Sequence, residues 1–151
     1  MGGTARRRRT LDELVQDAAA RIERLEPAAA LAAMRDGATL VDIRSDSDRE
    51  RDGIVPRSLH LPRTVLEWRL DPESRWRSPY APSLEERVLL LCDHGCSSVL
   101  AASTLLELGF TRVGDVVGGF AAWRDAGLST TVAVAAPRGT GELAGMRPPD
   151  A

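Results

Sequence analysis

The chain contains two cysteines, and both fall in one short polar stretch, "CDHGCSS", at Cys92 and Cys96. Buried structural cysteines sit among apolar neighbours, and metal-binding cysteines have partners elsewhere in the chain. These two have neither, which leaves the chemistry of a reactive thiol. The stretch follows the hydrophobic run Val88–Leu91 and leads into an Ala-rich segment. This order reads as a strand ending at Cys92, a loop, and a helix opening at Ser97 or Ser98. The loop and the first helical turn then carry N–H groups with no intrahelical partner. Curled around the Cys92 sulfur, those amides form an anion-binding nest, and the helix dipole adds partial positive charge. The expectation is a depressed thiol pKa and a nucleophilic thiolate near neutral pH.

Gly95 supplies a position free to take positive φ. Ser97 and Ser98 can donate hydroxyl hydrogen bonds to a bound anion or cap the helix. Such a cradle suits a cysteine that accepts a second sulfur, because a persulfide is an anion that converging amides hold without a metal or an organic cofactor. The same spacing admits phosphate or arsenate ester chemistry. That chemistry calls for an Arg six residues after the nucleophile to grip the phosphoryl oxygens, and Ser98 stands there.

The neighbours leave alternatives open. Cys96 either fills a small loop position or attacks a persulfide or disulfide on Cys92. His94 either serves as an acid or base or hydrogen-bonds the loop. Asp93 places negative charge near the sulfur, which opposes a dianionic donor unless the side chain points to solvent. Cys92, His94 and Cys96, with His60 as a distant fourth ligand, match none of the usual zinc spacings, so no metal is expected. Asp42 and Arg44 read as a structural charge pair at a strand end.

The rest of the chain reads as elements that position this loop. Thr10-Leu11-Asp12-Glu13 is a capping box, and apolar residues at helical spacing extend a helix to about Leu25. Pro27 opens a second helix through Met34, which Gly37 stops. Thr39–Ile43 and Ser58–Pro62 are short strand candidates. Arg87–Cys92 is the strongest strand, apolar on both faces as in a buried parallel sheet. A helix runs from the serines to Leu108, followed by the strand and tight turn "RVGDVVGG" and the short helix "FAAWRDAG". The segment holding Trp68 and Trp76 starts as a helical turn and becomes a Pro-rich loop, and either covers the site or packs the surface. Strands alternating with helices imply an α/β fold with a mainly parallel sheet, helices on both faces, and a binding site beyond the strands' carboxyl ends.

A net charge of −2 and 43% apolar residues describe an ordinary soluble globular chain, and all 20 basic residues are Arg. Neither nucleic acid nor a membrane is an expected partner. The Arg6–Arg9 run reads as a solvated terminus. Acidic residues interrupt any secretory or mitochondrial targeting pattern, and no stretch approaches ~20 uninterrupted apolar residues. The expected compartment is the cytoplasm, where thiols stay reduced. The expected organisation is an extension over residues 1–26, a domain over 27–130 and a disordered tail over 131–151.

The segment from about Pro27 to Leu128 resembles a single-domain rhodanese, a family of sulfurtransferases that carry sulfane sulfur on a cysteine. Leu40–Arg44 ("LVDIR") resembles the family's Asp-x-Arg strand. Asp52–Pro62 ("DGIVPRSLHLP") resembles its Gly-His-Ile-Pro-Gly-Ala segment, without the His and the second Gly. "CDHGCSS" resembles the active-site loop, and Val116–Leu128 ("VVGGFAAWRDAGL") the closing Gly-Gly-aromatic-x-x-Trp signature. The wider arrangement is similar to a rhodanese-like group common in high-GC bacteria. The resemblance implies a three-layer α/β/α fold with about five strands and Cys92 as sulfur acceptor. It implies a small donor, such as thiosulfate or a persulfide, and a cyanide, thiol or protein-thiol acceptor, with Asp93, His94, Gly95, Cys96, Ser97 and Ser98 around the substrate. Many family loops place Arg where Ser97 stands, so the cation for an anionic donor is sought at Arg49, or at Arg63 or Arg69. The competing expectation is a non-catalytic rhodanese-like binding module, or a redox sensor built on Cys92 and Cys96.

Overall fold

The computed structural model describes residues 3 and 5–133. Helix α1 (Leu11–Arg21) begins as the capping box requires, with the Thr10 hydroxyl accepting from the Glu13 amide at 3.1 Å. It ends four residues before the sequence pattern does. Ile22 is extended, and Glu23–Leu25 form strand β1, which pairs with Gly114–Val116. Apolar spacing alone does not separate this edge strand from one more helical turn; the sheet edge decides it. β1 lies within the segment expected to be an extension, so part of that extension belongs to the sheet. Upstream of α1, Arg7 pairs with Glu13 and Arg9 with Asp17, so the basic run is partly drawn onto the helix.

Helix α2 (Pro27–Arg35) carries its proline in the first turn. Strand β2 (Thr39–Asp42) leads to helix α3 (Asp46–Asp52), capped by the Ser45 hydroxyl, which accepts from the Asp48 amide at 3.1 Å. Every residue of α3 is polar and none is buried, so no hydrophobic period announced it. Strand β3 is only Leu59–His60, and a 3-10 turn at Arg63–Val65 runs into helix α4 (Leu66–Leu70). Strand β4 (Arg87–Leu91), helix α5 (Ser97–Glu107), strand β5 (Arg112–Val116) and helix α6 (Gly119–Asp125) complete the order.

The five strands form one sheet in the order β1-β5-β4-β2-β3, and every pairing is parallel. Alternate residues of central β4 feed two cores. Val88 and Leu90 pack with Leu66, Leu70, Ala101 and Leu105 on the face of α4 and α5. Leu89 and Leu91 pack with Ala30, Ala33, Phe120 and Trp123 on the face of α2 and α6. The fold is the three-layer α/β/α arrangement the alternation implied, and Cys92 sits at the carboxyl end of its middle strand.

The tail was expected from residue 131. Thr131 is instead tied to Ile54 by reciprocal backbone bonds of 2.9 and 2.8 Å. Positions 134–151 lie outside the described residues. Among the described residues, no helix is long and apolar enough to cross a membrane.

Candidate active site

The loop between β4 and α5 is held by backbone contact with the start of α6. The amides of Phe120 and Ala121 donate to the carbonyls of Cys92 and Asp93, at 2.8 and 3.0 Å. This approach leaves no room for side chains. A Cβ on Gly119 would lie 2.6 Å from the carbonyl carbon of Asp93, and one on Gly95 would lie 2.6 Å from the amide nitrogen of Gly118. Gly95 also has φ +79°. The Gly118-Gly119 pair, read from sequence as a turn, is thus also the seat of the loop.

The sulfur of Cys92 meets this loop from inside. The Gly95 amide donates to Sγ at 3.1 Å, and the Cys92 thiol donates to the Ser98 hydroxyl oxygen at 3.2 Å. The residue capping α5 is Cys96, which makes no side-chain capping bond, so no side chain competes for the first-turn amides at that position. Burial pushes the Cys92 thiol up. Hydrogen bonds that the thiolate can accept from the Ser98 hydroxyl and amide, the Ser97 hydroxyl and the Gly95 amide outweigh it and hold the thiol below its ordinary value. Cys92 is 5% exposed and both cysteines are free thiols.

Cys92 opens into a cleft of about 310 Å³ lined with Arg44, Ser45, Asp48, Asp93, His94, Cys96 and Ser97. Of the residues expected around a substrate, Asp93, His94, Cys96 and Ser97 line this cleft. Gly95 and Ser98 act on the sulfur from behind, and Ser98 is fully buried. Arg49 stands apart from them. It lies 3.4 Å from the buried Asp42 carboxylate and 3.0 Å from Nδ1 of His60, and it does not line the cleft. The uncompensated side of the Asp42 charge draws it inward. Arg69 is also buried, donating to the Trp76 carbonyl at 2.7 Å. Arg63 reaches the loop itself, donating to the Ser97 carbonyl at 3.1 Å.

Asp42 and Arg44 form the structural pair the sequence suggested. The guanidinium donates twice to the carboxylate, at 3.0 and 2.8 Å, and stacks on Phe120 at 3.9 Å. His60 stays with this group: Nε2 donates to the Arg44 carbonyl at 2.8 Å, so Nδ1 accepts from Arg49. Burial lowers its pKa in keeping with a neutral ring. Trp68 and Trp76 line a separate groove with Leu108 at the far end of α5, and do not cover the cleft.

Two residues at the site have no counterpart in the sequence reading. Asp115 on β5 is fully buried and accepts from the Ser98 hydroxyl at 2.7 Å. Arg24 on β1 donates to both Asp115 oxygens, at 2.9 and 3.1 Å, and to the Gly95 carbonyl at 3.0 Å. A charged residue inside "RVGDVV" was the available signal, since a buried strand rarely carries an unpaired carboxylate.

Replacing Gly95 with Ala forces a side chain into the left-handed region and against Gly118, a strain of about 1–3 kcal/mol. The loop is expected to relax by withdrawing the Gly95 amide from Sγ. Thiolate absorbance titrated against pH should then show the Cys92 pKa rising towards that of a free thiol. A curve unchanged from wild type would show that this amide contributes nothing to the sulfur's charge.

A parallel α/β sheet with a cysteine-bearing loop at the carboxyl end of its central strand defines the class of the molecule. Residues 26–126 match the model of the Rhodanese-like domain family, and the chain belongs to that family. It is 34% identical to a thiosulfate sulfurtransferase GlpE of Pseudomonas savastanoi over 102 residues, covering 68% of this chain and 87% of the relative. A solved structure from Rhodopseudomonas palustris, described as a protein of unknown function and possible tyrosine phosphatase, is 35% identical with a TM-score of 0.71, over 86% of this chain and 98% of that one. The polysulfide-sulfur transferase homodimer of Wolinella succinogenes is 25% identical with a TM-score of 0.63, over 79% and 85% of the two chains. Together the family and its relatives support sulfurtransferase activity in general terms.

Proposed function

We propose that this chain moves sulfane sulfur through a persulfide on Cys92. The Cys92 thiolate attacks the outer sulfur of a donor, forms the new S–S bond and releases sulfite from thiosulfate or a thiolate from an organic persulfide. Cyanide or a thiol then attacks the outer sulfur of Cys92–S–S⁻ and leaves the Cys92 thiolate ready for another turn. Charge and electrons balance in both halves, and no metal or organic cofactor takes part. The observation that carries the reading is the Gly95 amide on Sγ in a loop whose serine hydroxyls also face the sulfur. A phosphatase reading lacks its phosphate clamp, because Ser98 stands where the Arg would be and is bonded to Asp115.

The two half-reactions share one covalent intermediate, so initial rates at several fixed acceptor concentrations should give parallel double-reciprocal lines. Intersecting lines would refute the shared intermediate. Because the thiolate is the nucleophile and its pKa is held down, the rate of sulfur uptake should rise with pH and level off below the pH at which a free thiol would.

Two carboxylates line the mouth, and they favour an organic persulfide over the thiosulfate dianion as the better donor. Burial and the nearby Asp48 carboxylate push the Asp93 carboxyl up, while its neighbour Asp48 is held down by its hydrogen bond to Ser45. Substituting Asp93→Asn removes one unit of repulsion near the solvent boundary. It is expected to raise kcat/KM for thiosulfate by roughly threefold to tenfold, with the gain shrinking as salt is added. An equal gain for an organic persulfide, which carries less negative charge than thiosulfate, would show that charge is not the cause.

A further inference from the structure

The Ser98 hydroxyl has one hydrogen and two claimants. Asp115 Oδ2 lies 2.7 Å from it and Cys92 Sγ lies 3.2 Å from it, both in fully or nearly fully buried surroundings. A carboxylate only accepts, so while the hydroxyl serves Asp115 its oxygen must accept from the Cys92 thiol. That arrangement holds Cys92 protonated. For the thiolate to be held, the thiol proton leaves to solvent through the cleft and the hydroxyl hydrogen turns from Oδ2 to Sγ. Asp115 then loses one hydrogen bond but keeps the two from Arg24.

We propose that Arg24 and Asp115 are positioning residues that act through Ser98, the guanidinium satisfying the buried carboxylate so that the serine hydrogen is free to serve the Cys92 sulfur. The proposal rests on Cys92 being the sulfur-accepting nucleophile. Arg24 comes from β1, two residues before the segment matched by the family model begins. Its Nη2 also holds the Gly95 carbonyl, which fixes the peptide next to the one that donates to Sγ. One guanidinium therefore secures both partners of the sulfur. The two roles pull in one direction: without Arg24 the Asp115 charge is unopposed, keeps the serine hydrogen and repels a thiolate.

Charged and titratable groups face Cys92 from every side, and they stay constant in the comparison. Asp93, His94 and Cys96 belong to its own loop, Arg44 and Asp48 approach from the β2–α3 side, and Arg63 sits on the Ser97 carbonyl. The two outer members of the relay act on the thiol with opposite sign, and because they act through the Ser98 hydroxyl, Ser98→Ala should shrink both effects, which a direct charge interaction alone would leave in place. Loss of the cation raises the thiol pKa. Loss of the carboxylate lowers it, because Ser98 is released to the sulfur and Arg24 remains. Ordinary damage to packing would move both variants the same way.

The test is ultraviolet titration of the thiolate in full-length protein, with Cys96→Ser throughout so that Cys92 is the sole thiol. R24M should titrate about one unit higher than the parent and D115N measurably lower. The double variant R24M/D115N should return close to the parent, and R24K, which keeps the charge but not the two-pronged grip, should fall between R24M and the parent. Arg24 is on an edge strand and a third exposed, so R24M and R24K carry the comparison even if D115N does not fold. Coincident curves, or R24M and D115N moving in the same direction, overturn the relay. Sulfur uptake by wild type, read separately by mass, tells failure of the relay from failure of the sulfurtransferase reading.

Discussion

Cys92→Ser is expected to abolish turnover of a sulfur donor with cyanide, by on the order of a thousandfold or more, while leaving the fold intact. The size follows from the site. The loop's amides and hydroxyls are arranged around one atom, and a serine oxygen there would stay protonated and form no S–S bond. Folding should survive because the change removes little volume and puts a second hydroxyl beside Ser98, whose oxygen can accept from it. The variant keeps Cys96, which is exposed and lines the same cleft, so residual turnover would identify that thiol as a carrier. Thiocyanate formation assayed beside a thermal melt separates the outcomes. Near-wild-type turnover in a folded Cys92→Ser protein would remove Cys92 from the mechanism.

The second large effect lies one strand away. Asp42 and Arg44 are both almost wholly removed from solvent, with the carboxylate also accepting from the Arg44 amide at 3.0 Å and facing Arg49. A buried pair of this kind adds little over an apolar pair, but halving it leaves a buried charge without its partner, which costs about 3–5 kcal/mol. Asp42→Asn keeps the shape and removes only the charge. It is expected to lower the melting midpoint by roughly 10 °C. Because Arg44 lines the cleft and stacks on Phe120, beside the start of α6 that seats the loop, donor binding should weaken as well. Substituting the exposed Arg51, which pairs with Asp48 and Asp52, should hardly move the midpoint. Equal shifts for the two variants would contradict the assignment of Asp42 as a structural keystone.

The site's centre was legible because its signals are local. A strand, a thiol, a glycine and two serines in sequence describe a cradle wherever the fold places it, and the Gly-Gly turn that seats it is equally compact. Locally punctuated elements were legible too: α2 and α5 lie where a proline, serines and glycines bound them, and β4 where an uninterrupted apolar run put it. What escaped depends on distant pairing. β1 looks like the end of a helix until β5 offers it an edge, and α3 is a helix of polar residues set by one serine cap. Arg24, Asp115 and Ser98 lie far apart in the chain, and only the strand order β1-β5-β4 brings them to one sulfur. Arg49 shows the reverse case. Its type and position suit an anion site, yet a buried carboxylate on the neighbouring strand claims it.

All of this turns on whether the atom at the head of the loop takes up sulfur. Intact-protein mass spectrometry of the wild-type chain after incubation with thiosulfate, and separately with an organic persulfide, reads this directly. The account predicts a gain of one sulfur atom, located to Cys92 by peptide mapping and lost on adding cyanide. An unchanged mass with both donors, or a sulfur that maps to Cys96 alone, would contradict it.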